Sequence, residues 1–328
     1  MQKGLYRRYL AGDLVKPYPG LFARSAYWNR LNAAEQSLHA ARTLKDLHGN
    51  WIFAGITAAA AHGFEHQWLL HHQGLTITLP TRGSYRSHDK LNVIYSPFPK
   101  DNAVIVNGIP VTNPARTLLD CGHMLEFRFA LPIFDSAAAE GVGNDQVLQE
   151  CVRTTRDCTT IFRLMQHVDS SSENGGESLA RGTMIEAGFS IPQLQIPFTD
   201  PTTGERFRVD FLWRADDGRI IVGEFDGTAK YVDPEMTGRK SIQETVQTER
   251  NREQALRRAG VTEVVRFTFD DVLQRNPLIA KLRRAGVPTV HNAFISSRRK
   301  HQPQPVKTGE RHAEQSRRAW RLRPQHLH

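Results

Sequence analysis

The chain has 328 residues, 39% of them hydrophobic, and a formal net charge of +9. That length suits two or three domains, each with enough apolar residues for a core. No apolar run approaches the length of a bilayer span, since the stretch 51–61 is interrupted by Gly55 and Thr57, and no membrane role is expected. Arg7, Arg8 and Asp13 break up the place where a signal peptide would carry its apolar stretch, so a cytoplasmic location is expected. The three cysteines, Cys121, Cys151 and Cys158, form no C-x-x-C pair and indicate neither a disulfide framework nor a zinc site.

The positive charge sits at the two ends. Residues 291–328 hold nine Lys/Arg and two Glu, and residues 1–30 hold six Lys/Arg and one Asp, which leaves −3 for 31–290. A basic end is an electrostatic arm for a polyanion. The tail 291–328, rich in Gln, His, Arg and Pro, is expected to be disordered.

Residues 4–11 read as a short helix, with Leu5, Tyr9 and Leu10 available to one face. Two short strands, 14–17 and 21–23, follow about a Pro19-Gly20 turn. A basic helix and a tight basic hairpin have the shape of the second half of a winged helix-turn-helix, whose helix enters the major groove. Arg7, Arg8, Lys16 and Arg24 are then the DNA-contact candidates. The chain starts too late to supply the earlier helices of that motif. A bland reading, a structural helix-hairpin with exposed arginines, stands beside this one.

A helix is expected over 31–45, a strand at 51–54, and an Ala-rich helix over 56–62 that stops at Gly63. Strands are expected at 75–79, 91–95 and 104–106, with Asn107-Gly108 as a turn. Thr112 or Asn113 can cap a helix over 112–120, with Pro114 in its first turn. Further helices fit 130–140, 144–154 and 160–168. His62, His66, His71 and His72 have no metal-ligand spacing and read as surface or packed histidines. The Ser-Ser-Ser-Glu-Asn-Gly-Gly run within 169–176 reads as an interdomain linker.

Beyond it, a helix over 177–187 precedes strands at 193–198, 207–213 and 220–225. The first two strands are joined by an Asp200–Gly204 turn, the second and third by Asp216-Asp217-Gly218. A long helix over 241–259, a strand at 264–269 and a single closing helix over 271–285 complete the region. Asp210 and Glu224 fall on neighbouring strands, and Glu224 and Asp226 share parity, so both face one side. A carboxylate in an apolar strand is costly unless it binds a cation or is hydrogen-bonded. Clustered carboxylates at a strand end suit magnesium or manganese. Asp210, Glu224 and Asp226 are the metal-ligand candidates. Lys230 is the nearest cation in sequence, and Glu249, Arg250 and Arg252 on the long helix are a second source of charge. The bland alternatives are that Asp226-Gly227 is only a turn and Glu177 only a helix-start carboxylate.

The order helix-Glu, strand-Asp, hairpin, strand-Glu, helix resembles the PD-(D/E)XK, restriction-endonuclease-like family, and most the branch of the very short patch repair endonucleases. Val209-Asp210 stands for its Pro-Asp and Glu224-Phe225-Asp226 for its (Asp/Glu)-x-Lys. Glu177 matches the acid of its first helix, and Gln195 lies on a strand that often carries a glutamine. The resemblance covers roughly 115 residues. It implies a magnesium-dependent DNA endonuclease with Glu177, Asp210, Glu224 and Lys230 as catalytic residues. Asp226 stands at the motif's lysine position, so Lys230 would act as a displaced lysine, and Arg250 and Arg252 would join the DNA contacts.

The first 165 residues resemble the AbiEi-type antitoxins of type IV toxin–antitoxin systems. The resemblance rests on Tyr18-Pro19-Gly20-Leu21-Phe22, on Thr57-Ala58-Ala59 with His62-Gly63, and on the run from Val111-Thr112-Asn113-Pro114 to Leu119-Asp120. It implies a DNA-binding regulator and a cognate toxin protein as partner. The expected fold class is α/β in a multidomain α+β chain. Its expected parts are a truncated winged-helix-like segment (1–48), an AbiEi-like mixed α/β middle domain (49–168), a PD-(D/E)XK-like α/β core (173–288) and the disordered basic tail (291–328). The rival to the nuclease is a transcriptional regulator or antitoxin with a degenerate nuclease core.

Overall fold

A computed structural model of the protein describes residues 2–81, 90–97, 100–227 and 242–290. Lys230, Ser241 and the tail 291–328 lie outside these. The chain is mixed α/β, and it parts into two compact units between Ser170 and Ser171.

The first unit opens with helix α1 (Gln2–Leu10), closed by Gly12 in the left-handed region. Strands β1 (Leu14–Tyr18) and β2 (Leu21–Arg24) pair antiparallel about Gly20. Leu5 is half-buried, Tyr9 and Leu10 are exposed, and the Tyr9 ring meets Phe22 of β2 edge-on. A short helix α2 (Ser25–Trp28), not expected from the sequence, leads to α3 (Ala33–Leu47). The α3 start is a capping box in which Asn32 Oδ1 accepts from Glu35 N, and the Glu35 carboxylate accepts from Asn32 N.

Next come β3 (Ile52–Phe53), α4 (Gly55–His62), a 3-10 turn (Trp68–Gln73), β4 (Leu75–Leu79), β5 (Leu91–Tyr95), β6 (Ala103–Val106) and β7 (Ile109–Thr112). They form one mixed sheet in the order β5-β4-β3-β7-β6. Strand β7 had no sequence expectation. It pairs with β6 through the Asn107-Gly108 turn, both residues at positive φ, as a two-residue hairpin requires. Leu21, Ala40, Ala41 and Leu44 share a core cluster with Phe53, Leu75, Ile77 and Val111. The hairpin and α3 therefore bury their apolar faces in the same core as the sheet.

Helices α5 (Pro114–Met124), α6 (Phe127–Ala139), α7 (Asn144–Val152) and α8 (Thr159–His167) complete this unit. Asn113, not Thr112, caps α5, accepting from Arg116 N. Thr112 belongs to β7, and its hydroxyl bonds Thr117.

In the second unit, helix α9 (Gly175–Glu186) begins inside the stretch expected as a linker. Asn174 is the reason: its side chain accepts from Gly176 N and Glu177 N and starts the helix there. Strands β8 (Gln193–Thr199), β9 (Arg206–Arg214) and β10 (Ile220–Asp226) follow, then α10 (Ile242–Arg258), β11 (Glu263–Thr268), α11 (Phe269–Gln274) and α12 (Asn276–Arg284). The sheet order is β11-β10-β9-β8, with β10–β11 parallel and the other pairs antiparallel. The single closing helix expected over 271–285 is two. Arg275 takes φ +68 between them, and Pro277 opens the second. One sheet face packs Leu212 and Val222 against Leu256 and Val261 at the end of α10. On the other, Phe225 lies against the first turn of α9: a Cβ at Gly176 would stand 2.6 Å from the Phe225 ring.

Candidate functional site

The ladder between β8 and β9 pairs Leu194 with Phe211 and Ile196 with Val209, so Gln195 and Asp210 stand at one level. Neither pairs there. Gln195 takes φ +53, which is unusual for a residue other than glycine. Val209 and Leu212 nevertheless share the cluster beneath α10, as does Ile196. Strict alternation would put Val209 and Leu212 on opposite faces, so the side-chain alternation of β9 slips by one residue at Asp210. The β9–β10 ladder also ends at this level, its last pair being Phe211–Gly223. There the Asp210 carboxylate stands in for a backbone carbonyl, accepting from Phe225 N at 2.8 Å.

Glu177 lies in the first turn of α9 and is buried. Its Oε2 accepts from Gln195 Nε2 at 2.9 Å and Glu173 N at 3.0 Å, and its Oε1 accepts from Asn174 Nδ2 at 2.7 Å. Burial, followed by the nearby Asp210 charge, pushes its carboxyl up to about 7, against the lowering effect of these donors. Burial likewise raises Asp210, opposed by the Phe225 N–H and the Arg252 charge. Glu224 is raised by burial, with Arg252 the main opposing influence and Asp210 adding to the rise. The three acids thus form one electrostatically connected group whose charged forms are disfavoured.

Arg252, on α10, brings a cation to Glu224 on β10. Its Nη2 donates to Glu224 Oε1 at 2.9 Å and to Arg208 O at 2.6 Å, and its guanidinium lies 5.7 Å from the centre of the Phe207 ring. The sequence reading placed Arg252 among DNA contacts and only generally near the site. Its link to Glu224 was hidden because it joins residues 28 apart across a helix and a strand. Arg266, paired with Glu224 across β10–β11, also acts on Glu224 and forms an ion pair with Glu249 at 3.4 Å. On the other side Arg208 pairs with Glu173, next to the α9 cap.

The chain is 32% identical over 111 residues to two uncharacterized proteins of Mycobacterium tuberculosis, one in each of two strains. The match takes in 33% of this chain and 41% of either relative, so it spans less than half of their length. No family model matches the chain. No solved structure matches it either.

Of the residues singled out from sequence, Glu177, Asp210 and Glu224 come together with Gln195. Asp226 is half-buried at the end of β10, level with Thr268 of β11, two residues past Glu224. Arg250 is exposed on α10. Among the described residues no three His, Cys, Asp or Glu side chains stand close enough to hold a metal ion. The donor set still has hard-cation chemistry, since partly buried carboxylates that raise one another's proton affinity are the groups a divalent ion would hold ionised. Such an ion would have Asp210 and Glu224 as its holders, with Arg252 displaced from Glu224. In the first unit, Arg7, Arg8, Lys16 and Arg24 are all exposed. Arg8 lies 3.7 Å from Asp13, and Lys16 lies over the Phe22 ring.

Proposed function

We propose that the unit beginning at Ser171 is a divalent-cation-dependent nuclease core of the PD-(D/E)XK type, hydrolysing DNA phosphodiesters. The observation that carries this reading is the position of Asp210. A carboxylate interrupts a sheet on both sides, in electrostatic contact with Glu177 and Glu224. A slip in strand pairing re-aims a side chain and is favoured beside active sites. When bound, magnesium or manganese supplies a Lewis acid for the hydrolysis. Asp210 and Glu224 would hold the ion, with Asp226 as an outer ligand. Glu177 shares its proton with solvent near neutral pH, which suits a general acid–base group. Gln195 fixes the Glu177 carboxylate through its 2.9 Å bond. Lys230, proposed to assist the attacking water, lies outside the described residues. Arg250, exposed on α10, would meet the phosphate backbone, Arg252 would do so only on leaving Glu224, and the helix-hairpin of Arg7, Arg8, Lys16 and Arg24 would act as a winged-helix-like element that adds grip on a duplex.

A second reading is a DNA-binding regulator, an antitoxin with a degenerate nuclease core and a toxin partner. The Arg252–Glu224 ion pair favours it, because it neutralises a carboxylate that a nuclease leaves to its metal. Incubating supercoiled plasmid with magnesium or manganese separates the two. Nicking by the wild type that Asp210→Ala and Glu224→Ala both lose supports the enzyme. Salt-sensitive DNA binding without nicking in all three supports the regulator.

A further inference from the structure

Helix α1 and the β1–β2 hairpin carry a line of rings on their surface. Tyr6, Tyr9 and Leu10 stand three and four positions apart and so share one side of α1. All three are exposed, Tyr6 by 56% and Leu10 by 67%. The Tyr6 and Tyr9 ring centres are 6.1 Å apart, and Tyr9 meets Phe22 of the hairpin at 6.4 Å. Lys16 Nζ ends the line, 5.8 Å from the centre of the Phe22 ring. Apolar side chains gathered on one exposed face mark a contact surface, where scattered ones do not.

The charge around the rings decides what covers them. Lys3, Arg7, Arg8, Lys16 and Arg24 are all exposed. Residues 1–30 hold six Lys/Arg against a single acid, Asp13, which lies 3.7 Å from Arg8. A second copy of this surface would bring like charges together and is disfavoured. A polyanion is the complementary partner. The rings then select its form. In a duplex the base faces are stacked on one another, and only base edges, sugars and phosphates can be reached. A single strand offers the base faces themselves, and a base stacked on an aromatic side chain gains affinity whatever its sequence.

We propose that α1 and the hairpin bind single-stranded nucleic acid, its bases stacked on Tyr6 and Tyr9 and its phosphates met by Arg7, Lys16 and Arg24. The inference rests on the reading of this element as a nucleic-acid contact and is independent of the nuclease reading of the second unit. The cations alone would hold a duplex as well. The two tyrosines add the preference for unpaired bases.

Fluorescence anisotropy on the full chain tests this. The probes are labelled oligothymidylate and a labelled hairpin duplex, in a chelator that withholds divalent ions and so prevents cleavage. Oligothymidylate should bind about tenfold or more tighter than the duplex at equal salt. Tyr6→Ala and Tyr9→Ala should each weaken it about tenfold and leave duplex affinity within about twofold of wild type. Tyr6→Phe and Tyr9→Phe keep the ring and should bind as the wild type does. Irradiating iodouridine-substituted single strand on the wild-type protein should crosslink it to Tyr6 or Tyr9, a readout that needs no variant to fold. Duplex bound as tightly as oligothymidylate would overturn the inference and keep the duplex contact. Single-strand binding that both alanine variants retain, with crosslinks elsewhere, would overturn it too. No binding of either probe would overturn both contacts, as would binding instead to phosphatidylserine vesicles that the alanine variants lose.

Discussion

Gln195 and Asp210 stand level in neighbouring strands, at the one place where the β8–β9 ladder leaves both unpaired. From there Gln195 reaches Glu177 on the helix, and Asp210 reaches the backbone of Phe225 on the next strand. Two backbone irregularities, not one, thus gather three acidic positions from three elements.

Asp210→Asn keeps an acceptor for Phe225 N–H while removing a charge that burial disfavours. Its thermal stability should lie within about 1 kcal/mol of wild type, or slightly above it. Plasmid nicking should fall by a factor of about 100 or more. Paired measurements of melting temperature and nicking rate check both halves, and full activity in this variant rules out the proposed cation site.

Glu177 makes stability depend on pH in an uncommon direction. Its folded-state value, about 7, lies above the ordinary 4.5, so the folded state holds the proton more tightly. The stabilisation is complete below 4.5 and is lost as pH rises through about 7. The loss is on the order of 3 kcal/mol. Urea titrations between pH 4.5 and 7.5 should show this fall, and Glu177→Gln should flatten it.

Because a divalent ion needs ionised carboxylates, manganese binding should release protons and strengthen as pH rises through about 7. Calorimetry in two buffers of different ionisation enthalpy reads the protons directly. Binding that is independent of pH over this range excludes Glu177 from the cation's surroundings.

Arg252→Ala removes the partner of a largely buried Glu224 carboxylate. The protein should lose about 1–2 kcal/mol, less than for a fully buried pair because the guanidinium is partly exposed. Manganese affinity should rise about tenfold as Glu224 becomes available. A fall in affinity instead would make Arg252 a support of the site rather than a competitor for it.

Gly176→Ala brings a methyl against the Phe225 ring at 2.6 Å. Overpacking of this kind costs about 1–3 kcal/mol, and Phe225→Leu should relieve it in the double variant. Chemical denaturation of the two single variants and the double provides the cycle.

Much of the architecture was legible in sequence because it rests on short-range signals. Strands at Leu75–Leu79 and Leu91–Tyr95 fell where apolar runs placed them, and Asn107-Gly108 made the turn its residue types demand. Boundaries failed where a side chain overrode composition. Asn174 drew a helix into a Gly-Ser-rich stretch, and Arg275 with Pro277 split another. Strand β7, with Pro110 in a four-residue run, gave too weak a pattern to mark itself.

The sequence by itself determined that Glu177 lies on a helix and Asp210 and Glu224 on two consecutive strands of one α/β unit, since helix and strand periods and tight turns are local properties. Only the tertiary structure decided that Gln195 bonds Glu177, that β9 slips at Asp210, and that Arg252 reaches Glu224. Those relations depend on how strands pair and where a helix packs, which long-range contacts set and no local pattern encodes.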